Sequence, residues 1–241
     1  MDISLSPETI LTIGHLSITN SLFSGLIIIT ILSFVLLNFR PSATNPTKLQ
    51  LAVEAVYLEL KKIVEPILGD ATTKYFPLLL TFFILIISFN WFGLLPITGT
   101  IGFNHNTAEG TIEMVPFFRA PTSDLSATLA LALISVLATN FIGLKSSGIK
   151  FFKRYFDFSK PLDFFVSTLE LISELGKNFS FAFRLFGNIF AGEVVLLVIT
   201  SLTYGLATLP FFGLELFIGL IQAFVFFMLT SIFIKLAIKK H

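Results

Sequence analysis

Apolar stretches long enough to cross a bilayer recur along this chain. A hydrocarbon core of about 30 Å needs about 20 helical residues. In lipid every backbone N–H and C=O must find an internal partner, which leaves helices or closed barrels. A barrel would be written as short alternating segments, and these stretches are continuous. The chain therefore reads as an all-α polytopic membrane protein with about five membrane helices. Composition agrees: 13% of residues are charged, against about 25% in a soluble domain. With no cysteine, disulfides and thiolate metal sites are excluded. Three scattered histidines offer no zinc site, and no cofactor is expected.

The segments follow in order, within one membrane domain. Residues 18–39 form a first span, ending at Arg40-Pro41. Residues 47–69 interleave Leu51, Val53, Val56, Leu58 and Ile63 with Glu54, Glu59, Lys61, Lys62 and Glu65. That pattern suits an amphipathic helix at the membrane surface. Spans follow at 75–96 and 123–144, separated by a loop containing Gly and Thr over 97–120. Trp91 and Pro96 suit an interface.

From Leu162 to Tyr204 there is no proline. A helix over 162–204 would reach roughly 65 Å, about twice the hydrocarbon core. It must start outside the bilayer, tilt steeply, or break near Gly176 or Gly187. Gly205 and Pro210 mark a turn, and 211–238 forms a last long segment. The last two helices are expected to be tilted and hairpin-like.

The connections around Arg40–Lys74 and Lys145–Lys160 are basic, as is the C-terminus. The N-terminal residues and the 97–120 loop hold only Arg119 between them. Cytoplasmic loops carry the excess of Lys and Arg, so the N-terminus is expected outside and the C-terminus in the cytoplasm. The first sixteen residues lack the basic region of a cleavable signal peptide. The expected location is a bacterial cytoplasmic (inner) membrane rather than an organelle. No stretch fits the phosphate-binding pattern G-x-x-x-x-G-K-[ST], so the chain is not expected to be an enzyme in itself.

Arg184 is the least comfortable residue in this plan. A guanidinium inside a span costs about 2.5–3.5 kcal/mol on insertion scales, so it faces protein or a water-filled path. At about 100° per residue, Glu170, Ser173, Lys177, Ser180, Arg184 and Asn188 share one polar stripe. Glu193 lies about half a turn away from it. On the last segment Glu215 and Gln222 share a face. A hairpin bent near Tyr204-Gly205 sets Glu193 near Glu215 and Arg184 near Gln222. Like charge and desolvation oppose ionising both of two close carboxylates, so the pair could share and relay a proton. Arg184 stays charged; it can pair with a passing carboxylate and block a leak. Several of these positions also have a plain structural reading. Thr122, Ser123 and Asp124 suit a helix cap. Lys177 suits an ion pair with Glu170 or Glu174, and Asn90 and Asn140 suit bonds between helices.

At RLFGNIFAGE (184–193) the chain resembles subunit a, the membrane stator of the proton channel in F-type ATP synthases. NWFGLLP (90–96), PTSDLSATLALAL (121–133) and LIQAFVFFMLT (220–230) fit in the expected order. The resemblance implies two offset half-channels packed against a rotating ring of c subunits, coupling proton flow to ATP synthesis. Arg184 would separate the half-channels and meet a ring carboxylate, with Gln222 beside it. Glu193, Glu215, Asn90 and Asp124 would belong to the outer half-channel. Glu170, Ser173, Lys177, Ser180 and Asn188 would belong to the inner one. Many members have histidine at one position of the Glu193/Glu215 pair, where this chain has two acids. Implied partners are the c ring, the peripheral-stalk subunit b, the remaining synthase subunits and the lipid bilayer, with no nucleic acid. The competing reading is a self-contained secondary transporter or channel using Arg184 as an anion site. It lacks the internal repeats common in that class.

Overall fold

The computed structural model describes residues 7–13, 16–39, 46–106, 112–148, 151, 155 and 161–238. Most of the basic positions that argue orientation, among them Arg40, Lys150, Lys153, Arg154, Lys160, Lys239 and Lys240, lie outside the described residues. Within them the chain is helical apart from two small hairpins. Strands β1 (Thr9–Ile13) and β2 (Leu16–Thr19) pair antiparallel, and so do β3 (Gly102–Asn106) and β4 (Ile112–Pro116). In order, the helices are α1 (Asn20–Asn38), α2 (Lys48–Leu68), α3 (Thr72–Phe92), α4 (Leu125–Ser147), α5 (Pro161–Thr203) and α6 (Thr208–Ile238). Five helical stretches among the described residues are long and apolar enough to cross a membrane, with α2 and α3 counted as one.

The hairpins are the main departure from the sequence reading, which placed the second within a loop and gave the first no structure of its own. Their pairing satisfies backbone groups that would otherwise need water. The register runs from Thr9 opposite Thr19 in the first hairpin and from Gly102 opposite Pro116 in the second. Gly102 has no room for a side chain, because a Cβ there would overlap the Val115 carbonyl. The first hairpin also shortens the first span: Leu16–Thr19 is strand, and α1 starts at Asn20 with Thr19 Oγ1 accepting from the Leu22 N–H at 3.3 Å.

Thr47 caps α2 by accepting from the Gln50 N–H at 3.2 Å. Gly69 ends it at a positive φ of 57°, a conformation that suits glycine. A single 3₁₀ turn, Gly69–Ala71, leads directly into α3. Helix α5 is continuous through Gly176 and Gly187, so of the three options for its length the break is excluded. It closes on Tyr204 and Gly205, both at positive φ, and the Gly205 N–H donates to Thr200 O at 3.1 Å. Helix α6 then begins at Thr208, earlier than the expected 211, because Pro210 is tolerated in a first turn where no backbone donor is needed.

The chain divides into two compact units. The first comprises Met1–Phe39, Ile84–Thr128 and Phe183–Ala223; the second comprises Arg40–Phe83, Leu129–Ala182 and Phe224–His241. In the second unit the core is aromatic: Phe76, Phe82, Phe83, Phe181, Phe226 and Phe227 are buried, with Phe181 and Phe226 ring centres 4.8 Å apart. Helix α2 joins this core through Leu60, Val64 and Leu68, spaced four residues apart on one face. Its other apolar residues, Leu51, Val53, Val56 and Leu58, are exposed. A hydroxyl pair, Ser135 and Thr230, crosses from α4 to α6 at 3.1 Å.

The first unit buries polar groups instead. Asn20, Ser21 and Ser24 at the start of α1 are buried with Thr122, Ser123, Asp124 and Thr128. Asn20 joins both hairpins to α1: its N–H donates to Glu8 O at 3.0 Å and its Nδ2 to Pro116 O at 3.3 Å.

Candidate functional site

The first unit gathers Asn90, Asp124, Arg184, Asn188, Glu193, Glu215 and Gln222. The turn at Tyr204-Gly205 folds α6 back along α5, which brings four of these side chains together in pairs. Asn188 Nδ2 donates to Gln222 Oε1 at 2.7 Å. Nearer the turn, the Glu215 carboxyl lies directly over Gly192, where any Cβ would overlap it. Glu193 is the next residue and lies within the electrostatic field of Glu215. Glu215 and Gln222 are buried, whereas Arg184 and Glu193 are half-buried. The hairpin arithmetic set Gln222 near Arg184; Gln222 accepts from Asn188, one turn further along α5. Arg184 lies one turn earlier on α5, next in sequence to the exposed Phe183.

Asn90 and Asp124 have the partners that a structural reading calls for, and each has something more. Asn90 Nδ2 donates to Gly219 O at 2.9 Å, bonding α3 to α6. Its Oδ1 is buried with no hydrogen-bond partner. A buried amide oxygen without a partner costs free energy. Asp124 Oδ1 accepts from the Ser126 N–H at 2.8 Å, an ordinary helix cap. Its Oδ2 accepts from Ser21 Oγ at 2.5 Å, which ties the carboxylate to α1. Trp91 adds a further bond from α3 to α6, its Nε1 donating to Leu216 O at 3.1 Å.

The remaining stripe residues belong to the second unit. Lys177 Nζ pairs with Glu174 at 2.6 Å and sits 4.8 Å from the centre of the Phe233 ring. Of the two carboxylates offered by the sequence, Glu174 provides the ion pair. Glu170 is half-buried, and Ser173 and Ser180 are exposed on α5. Tyr155 donates to Asn140 Oδ1 at 3.4 Å.

Sequence reasoning passed over three features of the site. Helix α1 was read as a plain span, yet its buried face is Asn20, Ser21, Ser24 and Gly25. The spacing of Asn20 and Ser24 by four residues was the available signal. Gly192 was read only as part of a motif. Arg119 was counted only as a loop charge, but its N–H donates to Ser24 Oγ and its Nε to Ser123 Oγ, both at 3.1 Å.

Helix α5 has little cover. Only 11% of its most apolar window is buried, against 44% for α4 and for α6. Ile172, Leu175, Phe179, Phe183, Val195 and Val198 are all exposed on it. A long uncovered apolar helix is ordinary against lipid, but one that also carries Arg184 on its flank is not.

Comparison with known proteins agrees with this geometry. The family model described as ATP synthase A chain matches residues 19–235. "ATP synthase subunit a" of Gluconacetobacter diazotrophicus is 30% identical, covering 87% of this chain and 84% of that protein. The Buchnera aphidicola protein of the same name is 31% identical over 93% of this chain and 83% of its own length. "ATP synthase subunit a, sodium ion specific" of Propionigenium modestum is 32% identical, over 85% of this chain and 70% of its own. The segments that hold Arg184, Gln222 and the Glu193/Glu215 pair all fall inside the matched region, and the chain belongs to the ATP synthase subunit a family.

Proposed function

We propose that the chain is the proton-translocating stator of a rotary F-type ATP synthase, with two offset half-channels set against a ring of c subunits. The observation that carries this reading is α5, which bears an arginine within an apolar run and leaves most of its apolar residues exposed. Arg184 meets a ring carboxylate, favours its ionised form and separates the two half-channels. The Asn188–Gln222 bridge braces the helix pair beside it. Protons reach the ring from outside by way of Asp124, Asn90 and the Glu193/Glu215 pair. They leave toward the cytoplasm along Asn188, Ser180, Lys177, Ser173 and Glu170. Ion choice rests with the binding carboxylate on the ring, so the sodium-specific relative is compatible with a shared path.

The chain lies in a bacterial cytoplasmic membrane with its N-terminus outside and its C-terminus inside, and α5 and α6 are tilted along the ring. Nucleotide chemistry belongs to other subunits, and the peripheral stalk holds this chain still while the ring turns. Cysteine cross-linking tests the arrangement, since the chain has no native cysteine. Single cysteines at Ile172 and Val195 should cross-link to cysteines on the outer helices of the c ring in native membranes. A cysteine at Phe141, exposed on α4, should not. Absence of ring cross-links from both α5 positions contradicts the proposal.

A further inference from the structure

Thr19 and Ser21 stand at the start of α1, outside the residues assigned above to the ion path. Ser21 Oγ donates to Asp124 Oδ2 at 2.5 Å, and Thr19 Oγ1 lies 3.1 Å from Ser21 Oγ. Ser21 and Asp124 are buried, whereas Thr19, the last residue of β2, is half-buried. The three oxygens form a row from the end of the first hairpin to the Asp124 carboxyl. The residues around the row are tied down on several sides. The Asn20 N–H donates to Glu8 O at 3.0 Å, its Nδ2 to Pro116 O at 3.3 Å, and the Arg119 N–H to Ser24 Oγ at 3.1 Å. All of these residues belong to the same compact unit.

A hydroxyl has one proton and two lone pairs. The Ser21 proton is committed to Asp124, so in the Thr19–Ser21 contact the donor is Thr19. Thr19 Oγ1 in turn accepts from the Leu22 N–H at 3.3 Å, which uses one lone pair and leaves the other for a donor from water. Both hydroxyl protons of the row therefore point the same way, toward the carboxylate. In that arrangement a proton is handed along by exchange of bonds. A hydronium ion at Thr19 gives its proton to Oγ1 and leaves as water. The Thr19 proton passes to Ser21 Oγ, and the Ser21 proton passes to Asp124 Oδ2. At each oxygen of the row the bond that forms balances the one that breaks, and the charge of the hydronium ends by neutralising the carboxylate. Once Asp124 has handed its proton on, rotation of the two hydroxyls restores the row, with no movement of the backbone. We propose that Thr19 and Ser21 form a hydroxyl relay that delivers protons to Asp124 from the outer side.

This inference rests on Asp124 being part of the outer path. The other carboxyl oxygen, Oδ1, accepts from the Ser126 N–H at 2.8 Å. That bond holds the carboxyl with Oδ2 turned to Ser21, the orientation in which it can receive.

Passive proton conduction, measured in vesicles holding the assembled complex stripped of its ATPase sector, tests the relay. Ser21→Ala should lower conduction about tenfold, the size expected when one hydrogen bond of the row is lost. Ser21→Thr keeps the hydroxyl and should restore most of it. Thr19→Asn keeps a capping oxygen for α1 but has no hydroxyl, and it should lower conduction about fivefold. Thr19→Ser keeps both and should stay within about twofold of normal. Thr30→Val removes a hydroxyl that bonds only within α1, to Leu26 O at 2.7 Å, and should change nothing. Normal conduction in either Ser21→Ala or Thr19→Asn would overturn the proposal, and so would equal losses in Ser21→Thr and Thr19→Ser. Should Ser21→Ala block assembly, Thr19→Asn decides alone, because its site is half-buried and its cap is kept. If Asp124→Asn by itself leaves conduction at the normal level, it is the outer-path reading that fails. If Asp124→Asn slows conduction while Ser21→Ala and Thr19→Asn do not, the relay alone fails.

Discussion

Gly192 shows how a single residue constrains the site. Its missing Cβ is what lets the Glu215 carboxyl lie against α5. The obstructing atoms are the end of a side chain rather than backbone, so an added methyl displaces the carboxyl and leaves the helix pair folded. Gly192→Ala should therefore lower proton pumping about tenfold while the complex assembles in normal amount. Gly213→Ala, where nothing lies within 4 Å of the added Cβ, should be neutral in both assays. Parallel measurement of pumping and of subunit content decides it. Arg184 and the two carboxylates were legible in the sequence because charge in an apolar run is conspicuous. Gly192, Ser21 and Arg119 were not, since their importance lies in what approaches them, and no local pattern records that.

Among the elements, the spans were plain from their length and the hairpins were not. A transmembrane helix announces itself over about 20 residues. A five-residue strand such as Thr9–Ile13 depends on a partner that sequence alone does not supply. Helix α2 shows a subtler gap. Its mixed pattern gave the helix but not which apolar residues it buries, because a membrane surface and a protein core draw on the same side chains. Leu60, Val64 and Leu68 face the second unit's core, and Val53 and Val56 do not. Val64→Ala should cost about 2 kcal/mol by lost burial, while Val56→Ala should cost less than about 0.5 kcal/mol. Thermal unfolding of the detergent-solubilised protein would separate the two; equal shifts would mean that α2 is held by its other face.

At the scale of the whole molecule, the family and the run of membrane helices were readable from residues alone, and the match over 19–235 agrees with them. The hairpin between α5 and α6 was readable in outline, but its register was not. A helix pair can slide by one turn without changing which faces meet, and specific contacts such as Asn188–Gln222 and Gly192–Glu215 fix it. In this register the Glu215 carboxyl lies over Gly192 toward the turn, and Arg184 lies further from the turn along α5. In the function proposed above, Arg184 acts on a group that another subunit brings to it. ATP-driven proton pumping by the assembled complex carrying Arg184→Ala tests this most directly. The account predicts that pumping falls below detection while ATP hydrolysis by the released ATPase sector stays at its normal rate; pumping at the normal rate would contradict it.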